Sequence, residues 1–343
     1  MAMDQSTAAA RPDSRELHVI VGAGPVGSGV ARLLAAQDRR VRIVTRSGSG
    51  PAGTGAERIA ADAADQAAMA RLTAGAAVIY NCANPPYHRW PAQWPPIAAA
   101  LLGAAERAGA VLVTVSNLYG YGPASQSLGV AGYDAGHPMT ESTPLAAAGR
   151  KGRVRAGMWR DALAAHQAGR VRAAEVRASD YVGPGAASAL GDRVVPRVLR
   201  GRPVFVLGRA DRLHTWTYTG DVAAMAVLAG AEPAAWGRAW HTPSGPPLTQ
   251  RDAVGDIARA AGLAPVPVRR VPSAVLRLVG LASPLMRELR ETQYQFSEDF
   301  VMDSSAAQQA FGLRPTPWSE VLGALLHSFG WTGPDPHVAS MPR

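Results

Sequence analysis

Apolar positions in the first half of the chain come as short unbroken runs, separated by stretches in which they recur every third or fourth residue. Leu17–Val21 is such a run, and Val30, Leu33 and Leu34 then fall on one helical face. Further runs predict strands at Val41–Thr45, Glu57–Ala61, Ala77–Asn81, Val111–Val115 and Val171–Ala178. Helical spacing predicts helices at Asp65–Thr73, Ile97–Ala108 and Arg153–Gln167. Gly and Ser fill the loop up to Gly55, and residues 120–145, rich in Gly, Ser and Pro, form a long loop. Strands continuous in apolar residues are buried on both faces, which is the habit of parallel sheets covered by helices. The alternation therefore predicts an α/β fold with a Rossmann-type, doubly wound parallel sheet. In the second half proline becomes denser, and helices at Asp252–Ala261 and Ser273–Leu281 predict a smaller, mostly helical lobe.

The first strand runs directly into Gly22-Ala23-Gly24-Pro25-Val26-Gly27, and a helix follows. Strand, glycine turn and helix in that order form a dinucleotide site: backbone N–H groups approach a pyrophosphate where a side chain would block it. The second strand ends Thr45-Arg46-Ser47, without the Asp or Glu that accepts from an NAD ribose. Arg46 offers a permanent cation with a planar donor fork, suited to a 2′-phosphate, so the expected cofactor is NADPH. Asp62, after the third strand, is placed to accept from the adenine amino group or to cap a helix. The expected boundaries are a tail over 1–16, a dinucleotide-binding domain over 17–182 to which 216–246 return, a substrate lobe of 183–215 and 247–330, and a tail over 331–343.

Composition narrows the classes. The chain has 343 residues, 47% apolar and 18% charged, which suits a globular protein with a substantial core. Its net charge of +9 comes from 35 basic residues, of which Lys151 is the sole lysine. The arginines are spread along the chain and form no basic run, so a nucleic-acid partner is not expected. No apolar run is long enough to span a membrane, and Met1–Glu16 lacks the apolar stretch of a signal peptide. A cytoplasmic location and no membrane partner are expected. Cys82 is the only cysteine, which excludes an internal disulfide framework, and the eight histidines show no metal-binding spacing.

Several motifs now stand in one order: the glycine turn, Asp62, Asn81-Cys82-Ala83-Asn84, Val115 to Gly122, Arg177 to Pro184, and Trp216 to Val222. Together they resemble the extended short-chain dehydrogenase/reductases of the NAD-dependent epimerase/dehydratase type, from about Leu17 to Gly330. The resemblance implies that the glycine turn and Asp62 hold the dinucleotide. It also implies that Cys82, Ala83 and Asn84 pass beside the ribose, that Ser179 and its neighbours lie by the nicotinamide, and that the C-terminal lobe builds the substrate pocket. The family's carbonyl-orienting Ser/Thr falls on Ser116 or Asn117, which are the expected catalytic positions.

Two departures matter. The first glycine of the family pattern is here Val21, and the family's acid, a Tyr four residues before a Lys, has no counterpart. Counting back from Lys151 gives Ala147; counting from Arg177 puts Lys151 at the Tyr position and Arg155 at the Lys position. In the family the lysine lowers the tyrosine's pKa so that it exchanges a proton with the substrate oxygen. Without it, the chain is either a non-catalytic NADP(H) sensor or a reductase with another proton source, such as water or a substrate phenol. It also looks like atypical ketoreductases of bacterial aromatic polyketide pathways. A small-molecule aromatic ketone is therefore the expected partner, with a nucleotide-sugar epimerase or dehydratase as the alternative. Expected substrate contacts are Tyr87 and Trp90 in the proline-rich stretch Pro85–Pro95, together with Tyr119, Tyr121, Tyr181 and His214; Met286–Asp303, carrying Tyr294 and Phe296, is a candidate lid. The oligomeric state is not legible.

Overall fold

A computed structural model describes residues 16–271 and 291–333. Seven strands form the central sheet: β1 (Leu17–Val21), β2 (Arg40–Thr45), β3 (Glu57–Ala60), β4 (Ala76–Asn81), β5 (Val111–Asn117), β6 (Arg172–Ala178) and β11 (Arg238–His241). Their order is β11-β6-β5-β4-β1-β2-β3, with every neighbouring pair parallel. The order reverses beside β1, where β2 lies on one side and β4 on the other, and a doubly wound sheet opens its ligand cleft at such a point. One face carries α2 (Gln66–Leu72), α3 (Trp90–Ala108) and α5 (Arg150–Gln167); the other carries α1 (Pro25–Ala36) and α7 (Thr219–Ala231). Gly29 of α1 lets α7 close in, since a Cβ there would stand 2.8 Å from the Ala223 methyl.

The remaining elements surround the carboxyl ends of the strands. They are α4 (Ala124–Ser127), β7 (Asp180–Val182), α6 (Val195–Val198), β8 (Val204–Val206), β9 (Leu213–His214), β10 (Trp216–Tyr218), β12 (Leu248–Thr249), α8 (Gln250–Ala260), β13 (Val268–Arg270), α9 (Tyr294–Ser297), α10 (Ser305–Phe311) and α11 (Trp318–Ser328). The second lobe has its own core, in which Val195, Val198, Ile257, Leu322 and Leu325 are buried together. The long loop after β5 is pinned rather than loose: Tyr133 and Met139 donate backbone hydrogen bonds to Asp299 and Val301, at 2.8 and 2.9 Å.

Some elements differ from the sequence expectation. Helix α3 begins at Trp90 rather than Ile97, although Pro95 and Pro96 lie inside it. Those prolines remove two helical hydrogen bonds, a cost of about 3 kcal/mol or more per interior proline. Complete burial of Trp90 and Trp94 in the first turns offsets it. The candidate lid is not one unit: its first residues lie outside the described ones, and from Tyr294 onward it is packed, with Phe300 and Met302 buried against Tyr133 and Met139. The expected helix at Ser273–Leu281 also lies outside the described residues, as do 1–15 of the N-terminal tail and 334–343 of the C-terminal one.

His18, in β1, is buried and stacks on Tyr80 with ring centroids 6.0 Å apart. Burial first, and then the charge of Arg39, hold its pKa down to about 4, against 6.5 ordinarily. The unfolded chain thus takes up this proton more readily. The contribution of His18 to stability is whole above pH 6.5 and falls as the pH drops toward 4, by about 3 kcal/mol in all. Denaturant unfolding at pH 7 and pH 4.5 should show a gap between the two that shrinks by roughly 2 kcal/mol in His18→Gln.

Candidate functional site

Backbone alone builds the first part of the site. Gly22 has φ +101°, and a Cβ there would lie 2.5 Å from the Cys82 carbonyl oxygen. A Cβ on Gly27 would lie 2.0 Å from the Gly22 carbonyl oxygen. These two glycines let β1, α1 and the turn after β4 meet. A Cβ on Gly24 would meet nothing within 4 Å, so that position opens onto the cleft. Gly24 caps α1 without a side-chain hydrogen bond, leaving first-turn N–H groups for an anion. Val21, where the family pattern has glycine, is simply the buried end of β1.

From this turn a groove of about 500 Å³ runs across the ends of β1 and β2, walled by Gly22, Ala23, Arg46, Ser47, Asp62 and Asn84 among others. Arg46 is exposed at its rim and has no ion pair among the described residues. Ser47 donates to the Ser49 hydroxyl at 2.9 Å. Asp62 accepts from the Ala64 N–H at 2.9 Å through Oδ1, while Asp65 is the residue that caps α2. The groove thus offers the cation of Arg46 and the hydroxyls of Thr45, Ser47 and Ser49, with no acid at the end of β2, where the ribose of a dinucleotide would lie.

On the other side of Gly24, Ala83 and Asn84 lies a second cavity of about 210 Å³. Pro25, Val26, Gly27, Cys82, Ser116, Asn117 and Ser179 line it, as do Tyr87, Trp90, Tyr119 and Tyr181. Three buried polar atoms of lining residues, Ser179 Oγ, Arg155 Nε and Gln295 Nε2, have no partner among the described residues. Such atoms normally meet a ligand or water. The glycine cradle, the groove and these atoms all fit a dinucleotide stretched across the switch point.

The departures from the family pattern have a physical form. Ala147 precedes α5 and only donates its N–H to the Gly120 carbonyl. Lys151 and Arg155 lie one turn apart on the buried face of α5. Lys151 does not line the cavity; its Nζ donates to Glu291 at 3.2 Å, and the same carboxylate accepts from the Lys151 N–H at 2.7 Å, capping the helix. Arg155 does line it, with its guanidinium 4.2 Å from the Trp94 ring and 4.6 Å from that of Trp90. Tyr87 and Tyr119 hydrogen-bond through their hydroxyls at 2.8 Å. Burial pushes both phenols up, and the Asp180 charge adds to it; Tyr181 is pushed up as well. This is opposite to the direction a proton-exchanging tyrosine needs. Burial likewise raises Cys82, to about 12.

Two expected substrate contacts are placed differently. Tyr121 is fully buried away from the cavity, accepting from Arg177 and donating to His241, each at 2.7 Å. His214 is 1% exposed, stacked on Phe296 and Phe300, and stands behind the cavity wall, where its Nε2 meets the Asp180 carboxyl at 2.8 Å. Asp180 was missed because its partner stands 34 residues away, brought over by the parallel pairing of β7 with β10.

A family model described as the NAD dependent epimerase/dehydratase family matches residues 18–240. Solved structures share the fold over nearly the whole chain. UDP-N-acetylglucosamine 4-epimerase from Methanobrevibacter ruminantium superposes with a TM-score of 0.73 at 14% identity, covering 92% of this chain and 98% of its own. UDP-glucose 4-epimerase from Thermotoga maritima gives 0.72 at 17%, covering 92% and 98%. dTDP-glucose 4,6-dehydratase from Streptomyces venezuelae gives 0.70 at 19%, covering 92% and 97%. A search of curated proteins finds no match. Among the described residues no helix is long and apolar enough to cross a membrane.

Gly27→Ala must push α1 off the turn. In a fluorescence titration its affinity for NADPH should fall at least about tenfold, or about 1.4 kcal/mol, while unaltered affinity would show that the cradle does not hold the dinucleotide.

Proposed function

The chain belongs to the NAD dependent epimerase/dehydratase family, and from that premise we propose that it is an NADPH-dependent ketoreductase acting on a polycyclic aromatic ketone of the angucyclinone kind. The observation that carries this reading is the occupancy of α5: Lys151 is bound to Glu291 and Arg155 packs in the corner between two perpendicular indoles, so neither register of the family's acid pair, Ala147 with Lys151 or Lys151 with Arg155, offers a tyrosine. Epimerases and dehydratases begin by oxidising a sugar hydroxyl, and that step needs a base to take the hydroxyl proton. Ketone reduction does not; it needs a carbonyl held against the cofactor.

A reduced nicotinamide bound in the cleft would supply hydride. Ser116 and Asn117 stand at the end of β5 to orient the carbonyl, although Asn117 Oδ1 already accepts from the Tyr119 N–H at 3.1 Å. Tyr87, Trp90, Tyr119 and Tyr181 give the cavity aromatic walls suited to a flat guest. A phenol beside the carbonyl hydrogen-bonds to it within the substrate and polarises it. The phenol or water then supplies the proton. Arg46 at the groove rim supports NADPH over NADH.

The structural neighbours favour a second reading, a nucleotide-sugar epimerase or dehydratase, since those with sugar-nucleotide activities in their names match over 92% of this chain. The experiment that decides is NADPH oxidation with a panel of phenolic polycyclic ketones, run beside UDP- and dTDP-glucose with NAD. Ketone-dependent oxidation supports the reductase, sugar turnover alone overturns it, and tight NADPH binding with neither points to a sensor.

Two variants extend the test. Arg46→Glu should reduce the NADPH-over-NADH preference in kcat/KM by about 10–100-fold, or roughly 1.4–2.8 kcal/mol; retained preference would place the phosphate contact elsewhere. Lys151→Ala should keep kcat within about tenfold of the unaltered chain, because its ammonium is held by Glu291 and lies over the ring of Tyr87, behind the residues that line the cavity. A loss of about 10²–10⁴-fold would instead mark it as an acid–base residue.

A further inference from the structure

Two histidines are buried near the carboxyl ends of the strands, and their surroundings differ in one decisive way. His241 Nδ1 faces the Asp303 carbonyl oxygen at 2.6 Å, and its Nε2 faces the Tyr121 hydroxyl at 2.7 Å. One acceptor and one donor satisfy a neutral ring. His214 Nδ1 faces the Gln295 carbonyl oxygen at 3.1 Å, and its Nε2 faces the Asp180 carboxyl at 2.8 Å. A carbonyl only accepts, so Nδ1 carries a hydrogen. A second hydrogen must then lie between Nε2 and Asp180 Oδ2, or two lone pairs would face each other. The pair therefore stores a proton that the His241 site does not.

That proton sits at the wall of the cavity. Asp180 lines it with its side chain 25% exposed, while His214, at 1%, is shut behind it. Among the described residues Asp180 is the only carboxyl that lines the cavity; the other titratable ones are Cys82, Tyr87, Tyr119, Tyr181 and Arg155. The ring of His214 is fixed by stacking on Phe296 at 4.8 Å and Phe300 at 5.3 Å, so it holds Asp180 Oδ2 and leaves Oδ1 without a protein hydrogen bond among the described residues.

We propose that the Asp180–His214 pair supplies the proton of ketone reduction in place of the missing tyrosine, with Asp180 as the catalytic donor and His214 as the positioning residue that loads it. The inference rests on the ketoreductase reading and assigns to a protein group the proton that this reading takes from water or the substrate phenol. Reduction forms a C–H bond at the carbonyl carbon with the hydride and an O–H bond at its oxygen. The Nε2–H bond of His214 breaks as its proton passes to Asp180 across the 2.8 Å contact, and the Asp180 O–H bond so formed breaks as the substrate oxygen takes that proton, leaving a neutral His214 beside the Asp180 carboxylate; the pair then regains a proton from solvent through the exposed edge of Asp180.

The test has two parts on the full chain. Nitrogen-15 NMR of the histidine rings near pH 7, without substrate, should show His214 protonated on both nitrogens and His241 on one; Asp180→Asn should remove the Nε2 proton. A His214 ring with an unprotonated Nε2 in the unaltered protein overturns the proposal. In kinetics, Asp180→Asn should lower kcat about 10²–10⁴-fold, with KM and NADPH affinity within about threefold. The loss should be larger for a ketone lacking the neighbouring phenol, and Asp180→Glu should restore part of it. A variant that fails to bind NADPH is set aside in favour of Asp180→Glu, whose kcat must then fall with an altered solvent isotope effect. Turnover unchanged in Asp180→Asn, or lost only in Tyr119→Phe, overturns this proposal alone. No ketone turnover by the unaltered chain overturns it together with the ketoreductase reading.

Discussion

A guanidinium is buried where the sheet, α3 and α5 converge. Arg155 lies 4.2 Å and 4.6 Å from the rings of Trp94 and Trp90, and its nearest hydrogen-bond acceptor is the Val115 carbonyl oxygen at 3.4 Å. Burying a charge is costly unless it is compensated. Two indole faces compensate in part, at roughly 2 kcal/mol for a desolvated cation–π contact. Much follows from this arrangement. The indoles must stand in the first turns of α3, so the helix forms through Pro95 and Pro96. The cavity floor becomes cationic and aromatic, and the α5 position one turn earlier is left to Lys151, turned away toward Glu291. In one of the two registers of the family's tyrosine–lysine pair, the lysine position is thereby held by a guanidinium packed on indoles.

The cofactor end of the cleft obeys a different constraint. There the surface is made of main chain, shaped by Gly22 and Gly27 approaching their neighbours more closely than any side chain permits. Such a surface depends on the presence of glycine at set positions and on little else. It can persist while side chains at the chemical end change, which is how a chain at 14–19% identity to its neighbours keeps their fold over 92% of its length.

The same division explains what could be read from the sequence. Short-range patterns were legible: the strand–glycine–helix turn, the alternation that makes the parallel sheet, and Arg46 at the end of β2 all lie within a few residues of one another. The absence of a tyrosine before Lys151 was legible too, because it is a statement about one helix. The roles that depend on distant partners were not. Trp90 and Trp94 read as part of a proline-rich loop, because nothing local shows that Arg155, some sixty residues on, would draw them into a helix. Tyr121 read as a substrate contact because, like Tyr119, it follows β5, while its burial against Arg177 and His241 is set by β6 and β11. Asp180 lay inside a recognised motif without a role until β7 and β10 paired and set it beside His214.

Burial fixes which groups in this cavity can trade protons. Enclosing a phenol or thiol penalises its anion, so Tyr87, Tyr119, Tyr181 and Cys82 are all driven to hold their protons more tightly. Arg155 is a cation throughout. A carboxyl pressed against an imidazole escapes this rule, because moving the proton across a 2.8 Å hydrogen bond leaves a compensated ion pair in place of an isolated charge. A buried site that has lost its activated tyrosine therefore keeps proton chemistry only where two groups share the charge. In this fold that condition is met by a residue on β7 and one on β9, both outside the helix that carries the family's acid.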